Sequence, residues 1–324
     1  VSNDGGLTEE DVVEGYQVFL ERAPESAEVI AHHRAIHAHR GSFFNALIQA
    51  PEFSQRIAGL AVRQALHGQL TAPVATIQHE APSGVMDRMI ARIREQWTHL
   101  GEVDPHWSVI TADKFRADQI GRPENLALFR ASGEREAKLI DLFGERTGVP
   151  HHGGVCIELG CGVGRVTRRL ADRFDKVIAL DISPGNLALC RAYLAEEGVT
   201  NVETRLIQGL EDFDDLPQTD FFFSVITLQH NPPPIQKLIL RKVFQRLKPG
   251  GLCLFQILGE AAGYGFEAES YLSGAAPEME MHVLPRAVVL AEMRDQGLYP
   301  LDVVADAHTG DIIGSVTIYG QKTA

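Results

Sequence analysis

The sequence of 324 residues predicts an α/β fold: a doubly wound parallel sheet closed by an antiparallel hairpin, with a small all-α domain in front of it. Three observations predict it. From Val155 onward, short apolar runs alternate with helical patterns, which marks a parallel sheet covered on both faces. Near the C-terminus two strand runs are separated only by a turn-like stretch, which implies antiparallel pairing. The first segment carries the apolar spacing of amphipathic helices.

Composition bounds the answer. Hydrophobic residues make up 44% and charged residues 23%, an ordinary globular balance that excludes disordered, collagen-like and coiled-coil chains. No stretch approaches the roughly 20 continuous apolar residues of a membrane helix. Val1–Gly6 lacks the basic and apolar regions of a secretory signal, so no membrane insertion and a cytoplasmic location are expected. A net charge of −13 repels polyanions, which argues against nucleic acid as a partner; Arg165, Arg168, Arg169 and Arg173 form the nearest thing to a basic patch. Cys156, Cys161, Cys190 and Cys253 form no CxxC pair, so zinc and dithiol chemistry find no support and a reducing compartment suits them.

The elements follow in order. Thr8-Glu9-Glu10-Asp11 has the form of a capping box, and Val12, Tyr16, Phe19 and Leu20 then share a helical face. A second amphipathic stretch runs from Ser42 to Pro51 through Phe43, Phe44, Leu47 and Ile48. Between them lies a histidine-rich run in which His33 and His37 stand at i, i+4; with no carboxylate or cysteine at a matching position it reads as a solvated helix face, not a metal site. The expected division is a helical domain over 1–67, a proline-containing linker over 68–84, and a second domain over 85–324 whose residues 85–150 lead in and cover a pocket. Met86, Met89, Ile90, Ile93, Trp97 and Leu100 mark one helix face, read as core. The stretch 101–133 looks irregular, and a helix is expected from Glu134 to Gly148. Strands are expected at Val155–Leu159, Val177–Asp181, Val202–Ile207, Phe221–Leu228 and Leu252–Leu258, with helices at Arg165–Arg173, Gly185–Glu197, Pro234–Leu247 and Pro285–Gln296. Leu301–Ala305 and Ile312–Tyr319 form the closing hairpin; Asp306 and His308 in its turn read as solvated.

The chemistry concentrates where the first strand passes into the first helix, at Glu158-Leu159-Gly160-Cys161-Gly162-Val163-Gly164. Glycines permit a tight turn and let a ligand lie on bare backbone, and a helix start offers unpaired N–H groups. The spacing is G-x-G-x-G, not the G-x-G-x-x-G of dinucleotide sites, and Glu158 would repel a pyrophosphate while suiting a cationic amino group. Asp181 ends the second strand 21 residues after Gly160, where an acid accepts hydrogen bonds from ribose hydroxyls. Ser183 and Pro184 then start a helix, leaving Ile182 to pack on an adenine face.

Val155–Gly164, Asp181, the Pro249-Gly250-Gly251 turn and the closing hairpin resemble the class I S-adenosylmethionine-dependent methyltransferases over Gly133–Lys322. The resemblance implies a Rossmann-like seven-stranded sheet with its last strand antiparallel, and S-adenosylmethionine as cofactor. It implies that Glu158, Gly160, Cys161, Gly162 and Gly164 surround the methionine part and that Asp181 binds the ribose. One departure stands out: many members carry an Asp for adenine where this chain has Leu210, so the backbone of Gly209–Glu211, or the side chain of Glu211 or Asp212, would serve instead. Leu7–Leu20, Arg22–Ser26 and Ala50–Phe53 more loosely resemble a helical domain of unknown function attached to bacterial glycosyltransferases and methyltransferases.

For catalysis, His230 in the proline-stiffened loop after the fourth strand is the candidate base, with Gln229 or Asn231 orienting substrate or touching cofactor. Trp107 and Phe115 upstream, and Tyr264, Phe266, Tyr271 and His282 downstream, are candidates to cover the substrate. The expected activity is O-methylation of a bacterial saccharide, glycolipid or related metabolite. Methylation of an unrelated small molecule or of a nitrogen or carbon acceptor, and cofactor binding without turnover, are the alternatives. A homodimer is compatible with the helical appendage, and no residue pattern decides it.

Overall fold

The computed structural model describes residues 6–20, 22–53, 75–275, 279–310 and 314–323. The chain divides into two compact units, Val1–Ala72 and Pro73–Ala324.

In the first unit, Thr8 caps α1 (Glu9–Gly15): its hydroxyl accepts from the Asp11 N–H, and the Asp11 carboxylate accepts from the Thr8 N–H, which closes the capping box. The chain then widens into a π-helical turn, Tyr16–Leu20. Helices α2 (Ala27–Ile36) and α3 (Arg40–Gln49) complete a small core of Leu7, Val12, Tyr16, Leu20, Phe43 and Leu47. His33 belongs to that packing and not to a solvated face. Its ring lies 4.9 Å from Phe43 and its Nε2 lies 3.0 Å from the Tyr16 hydroxyl. Among the described residues no group of three or more His, Cys, Asp or Glu could hold a metal ion.

The second unit is a seven-stranded sheet of order β3-β2-β1-β4-β5-β7-β6. Its strands are β1 (Val155–Leu159), β2 (Lys176–Asp181), β3 (Val202–Leu206), β4 (Thr219–Ser224), β5 (Leu247–Leu258), β6 (Leu298–Ala305) and β7 (Ser315–Lys322). The first five run parallel; β7 inserts between β5 and β6 and is antiparallel to both. Period-two alternation sorts the side chains onto two faces. Ile157, Ile178, Leu180, Phe222 and Phe255 face one layer, and Cys156, Val177, Ala179, Phe221, Phe223 and Leu254 the other. The first layer includes α4 (Ser83–Val103), α9 (Pro233–Arg246) and α10 (Arg286–Asp295); the second includes α6 (Pro123–Thr147), α7 (Thr167–Leu170) and α8 (Pro184–Glu196).

Several boundaries differ from the sequence reading. Of the expected linker, residues 68–74 lie outside the described residues, while Thr76 and Gln78 exchange backbone hydrogen bonds with Phe266 and Ile77 packs on the core. The stretch 101–133 is not irregular: it holds α5 (Pro105–Val109), a 3-10 turn at Asp113–Phe115, and the first turns of α6. Pro123 starts α6, and Gly133 sits mid-helix because the helix touches the chain at Arg165; a Cβ there would lie 1.9 Å from the Arg165 carbonyl oxygen. The helix expected at Arg165–Arg173 shrinks to α7. The fourth strand stops at Ser224 because Ile226 turns to a positive φ of 58°, which no extended strand allows.

Candidate functional site

A cavity opens at the C-terminal ends of β1, β2 and β4, under α4. Its empty space, open solvent included, amounts to about 980 Å³. The glycine loop forms its floor. Gly160 adopts φ 78°, and a Cβ there would lie 2.1 Å from the Thr227 hydroxyl, so only glycine allows the β1 and β4 loops to meet. Thr227 follows the left-handed Ile226, whose N–H donates to the buried Gln256 side chain at 3.0 Å. A β-branched residue with positive φ costs roughly 1–3 kcal/mol, and such strain gathers at functional sites.

Glu158 is 2% exposed at the end of β1, and its Oε2 has no hydrogen-bond partner. Burial pushes its carboxyl up to about 7, against the opposing pull of Thr167 and Arg165. Arg165 is itself engaged by Glu136, Nη1 to Oε2 at 2.9 Å. Asp181 accepts from the Gly162 N–H at 2.7 Å and the Ser183 N–H at 2.8 Å. Burial raises its carboxyl, and these backbone donors oppose the rise. Ionised, each of its oxygens keeps lone-pair capacity for another donor. Asn186 also lines the cavity, with its side-chain oxygen unpartnered.

At the other functional group, His230 is buried and its Nδ1 lies 2.8 Å from the Glu280 carbonyl oxygen. A carbonyl only accepts, so Nδ1 carries the proton and Nε2 keeps its lone pair. Burial pushes the imidazole down to about 4, so it is neutral at physiological pH. The Trp97 ring meets it edge-on, 5.1 Å between centroids.

Of the candidate site residues singled out from sequence, Glu158, Gly160, Cys161, Gly162, Asp181, Ile182, His230 and Asn231 line this cavity together. The other candidates lie off its wall. Gly164 packs against the Cys190 sulfur. Gly209 and Leu210 sit at the start of a 3-10 turn, with Glu211 folded beside Gly209 and Leu210 buried in the core. Asp212 is occupied in accepting from the Gln208 and Gly209 N–H groups at 2.6 and 3.0 Å. Gln229 reaches the Met281 sulfur. Trp107 lies under the Arg116 guanidinium, 4.0 Å away, and Phe115 packs on Phe129. Tyr264, Phe266, Tyr271 and His282 cluster with one another behind His230. Trp97, Ile90 and Ile93, read from sequence as core, form a cavity wall, and Val109, Asn186, Phe213 and Thr227, which the sequence did not single out, line it as well. The helical period of α4 signals a buried face but not whether that face meets protein or ligand.

Residues 156–251 match the family model described as a methyltransferase domain. This chain carries a class I S-adenosylmethionine-dependent methyltransferase domain. Members of this class use S-adenosylmethionine, and the site fits it: a buried carboxyl with a free oxygen lines the cavity, able to pair with an amino group, and an acid ends β2. Among curated proteins, the ubiquinone biosynthesis O-methyltransferase of Pseudomonas fluorescens is 30% identical over 147 residues, 44% of this chain and 57% of that one. Phosphoethanolamine N-methyltransferase 2 of Caenorhabditis elegans is 29% identical over 164 residues, 50% of this chain and 34% of that one. The chain thus spans about a third to just over half the length of these relatives. Among solved structures, the 1,6-didemethyltoxoflavin-N1-methyltransferase of Burkholderia thailandensis aligns at a TM-score of 0.49 and 15% identity, covering 78% of this chain and 94% of that one. No helix among the described residues is long and apolar enough to cross a membrane.

Proposed function

We propose that this protein transfers the methyl group of S-adenosylmethionine to a hydroxyl oxygen of a small-molecule acceptor, with His230 receiving the hydroxyl proton. The observation that carries the reading is the fixed state of His230: neutral, tied through Nδ1 to the Glu280 carbonyl, and sharing one cavity with Glu158 and Asp181. S-adenosylmethionine, when bound, supplies an electrophilic methyl on a sulfonium. Glu158 would hold its amino group and Asp181 its ribose hydroxyls, with Ile182 against the adenine. Holding donor and acceptor in line lowers the barrier by roughly 7–11 kcal/mol in favourable cases. His230 Nε2 accepts the hydrogen bond of the attacking hydroxyl. A weak base suffices there, because an oxygen that has gained a methyl while keeping its proton is a far stronger acid than any imidazolium.

The wall of Ile90, Ile93, Trp97 and Ile239 suits an acceptor with a flat or aliphatic body better than a bare saccharide. A glycolipid or a hydroxylated ring meets both that wall and the loose N-terminal resemblance to glycan-modifying enzymes. Methyl transfer to oxygen is also the activity in the name of the 30% identical relative. We place the protein in the cytoplasm, where its four unpaired, buried cysteines stay reduced.

Calorimetric titration with S-adenosylmethionine and S-adenosylhomocysteine tests the cofactor half: micromolar binding is expected, and binding of neither ligand would overturn the reading. A panel of hydroxyl and amine acceptors tests the rest. With a hydroxyl acceptor, His230→Ala is expected to cost roughly 10²–10⁴-fold in rate. Full activity of that variant would remove the base.

A further inference from the structure

Behind His230 lies a buried polar network that binding of the cofactor does not call on. The Arg92 guanidinium, on α4, donates to the Glu280 carboxylate at 2.8 Å, to the carbonyls of Gly274 and Ala275 at 3.1 and 3.0 Å, and to that of Tyr271. It also lies 4.2 Å above the Tyr271 ring. The other Glu280 oxygen lies 3.1 Å from His282 Nε2, and His282 Nδ1 lies 2.9 Å from the Tyr264 hydroxyl. With a neutral imidazole, one proton arrangement satisfies every contact: the tyrosine hydroxyl donates to Nδ1, and Nε2–H donates to the carboxylate. The same short segment is fastened to the His230 loop. The His282 N–H donates to the Gln229 carbonyl at 2.7 Å, and the Gln236 amide donates to the carbonyls of both Asn231 and His282, at 2.6 and 3.1 Å. The Glu280 carbonyl that receives His230 Nδ1–H is therefore held from both sides.

We propose that Arg92 and Glu280 are positioning residues: by anchoring the Glu280 backbone they fix the His230 tautomer that leaves Nε2 open to the acceptor. The proposal rests on the reading of His230 as the group that receives the hydroxyl proton. Arg92 and the Glu280 side chain do not line the cavity and touch no reacting atom. They act through one backbone carbonyl. The arrangement accounts for a side-chain charge pair 15% and 10% exposed, which is costly to bury unless it serves geometry.

The test needs no acceptor. The full chain, labelled with ¹⁵N-histidine and saturated with S-adenosylhomocysteine, is examined by long-range ¹H–¹⁵N correlation, with His230→Ala assigning the ring. The wild type is expected to show a single His230 tautomer, protonated at Nδ1. Arg92→Met is expected to release it, with the tautomer ratio moving at least about fivefold, the change that loss of one hydrogen bond implies. Glu280→Gln, which keeps the side-chain shape, is expected to move it in the same direction and serves if Arg92→Met does not fold. S-adenosylhomocysteine affinity within about threefold of wild type would show that the cofactor site is intact. A wild-type ring protonated at Nε2, or a tautomer unchanged in the folded variants, would overturn the proposal. Failure to bind S-adenosylhomocysteine would instead strike the methyltransferase reading itself, so the two failures are distinguishable.

Discussion

At the scale of single residues, the proposed cofactor ligands Glu158 and Asp181 are the same functional group in two different settings. Asp181 is supplied with backbone N–H donors that favour its ionised form, whereas Glu158 keeps one oxygen bare and is pushed up to about 7 by burial. A ligand amino group beside Glu158 favours its ionisation, so binding below pH 7 must first remove a proton. Affinity for S-adenosylhomocysteine is therefore expected to rise with pH and level off above about 7, and Glu158→Gln should bind more weakly with a flat profile. Calorimetry from pH 5.5 to 8.5 checks it, and a wild-type curve already flat would sink it. Asp181→Ala removes a charged acceptor, worth roughly 1.5–3 kcal/mol per hydrogen bond, so a loss of about ten- to hundredfold in affinity is expected at every pH. Both acids were legible in the sequence because their positions depend only on local spacing: one precedes a glycine turn, the other ends the next strand. Trp97 and Asn186 were not. They reach the cavity from helices whose placement only the packed sheet determines.

At the scale of elements, the alternation of strand and helix from Val155 was readable because each strand is a short apolar run bounded by turn residues. The stretch 101–133 was not, because a proline and an internal glycine argue locally against helix. Each has its own reason: Pro123 occupies the first helical position, where its missing N–H costs nothing, and Gly133 admits the Arg165 carbonyl. Gly133→Ala should gain helix propensity, about 1 kcal/mol, yet lose more by forcing α6 off the loop that carries Arg165. Overpacking typically costs about 1–3 kcal/mol, and here the obstacle is backbone, which cannot swing aside. A lower Tm by several degrees is expected, since about 1 kcal/mol corresponds to 2–4 °C in a domain of this size. The same variant should loosen the buried Glu136–Arg165 pair, so its S-adenosylhomocysteine affinity should fall as well. An unchanged Tm would show that α6 can shift without cost.

At the scale of the whole molecule, Glu158 and His230 pull stability in opposite directions with pH. Glu158 has its carboxyl raised from 4.5 to about 7, so the folded state binds a proton that the unfolded chain has already lost. Its contribution falls as pH rises from 4.5 to 7 and is constant above that. His230 is lowered from 6.5 to about 4, so the unfolded chain takes up a proton that the folded state refuses. Its contribution is full above 6.5 and is lost as pH falls toward 4. Each displacement corresponds to about 3 kcal/mol, and both groups are buried enough to keep most of it. Over the shared window the two slopes nearly cancel, so the cofactor-free wild type shows little net dependence from this pair. Removing one partner exposes the other. Relative to wild type, Glu158→Gln should gain stability progressively from pH 4.5 to 7, and His230→Gln should gain it as pH falls from 6.5 to 4. Urea unfolding midpoints across that range read both differences directly. Curves that stay parallel to wild type in both variants would mean that neither group keeps its displaced protonation in the folded chain. The Glu158 difference should also vanish under saturating S-adenosylhomocysteine, because a ligand amino group then holds the carboxylate ionised, while the His230 difference should persist.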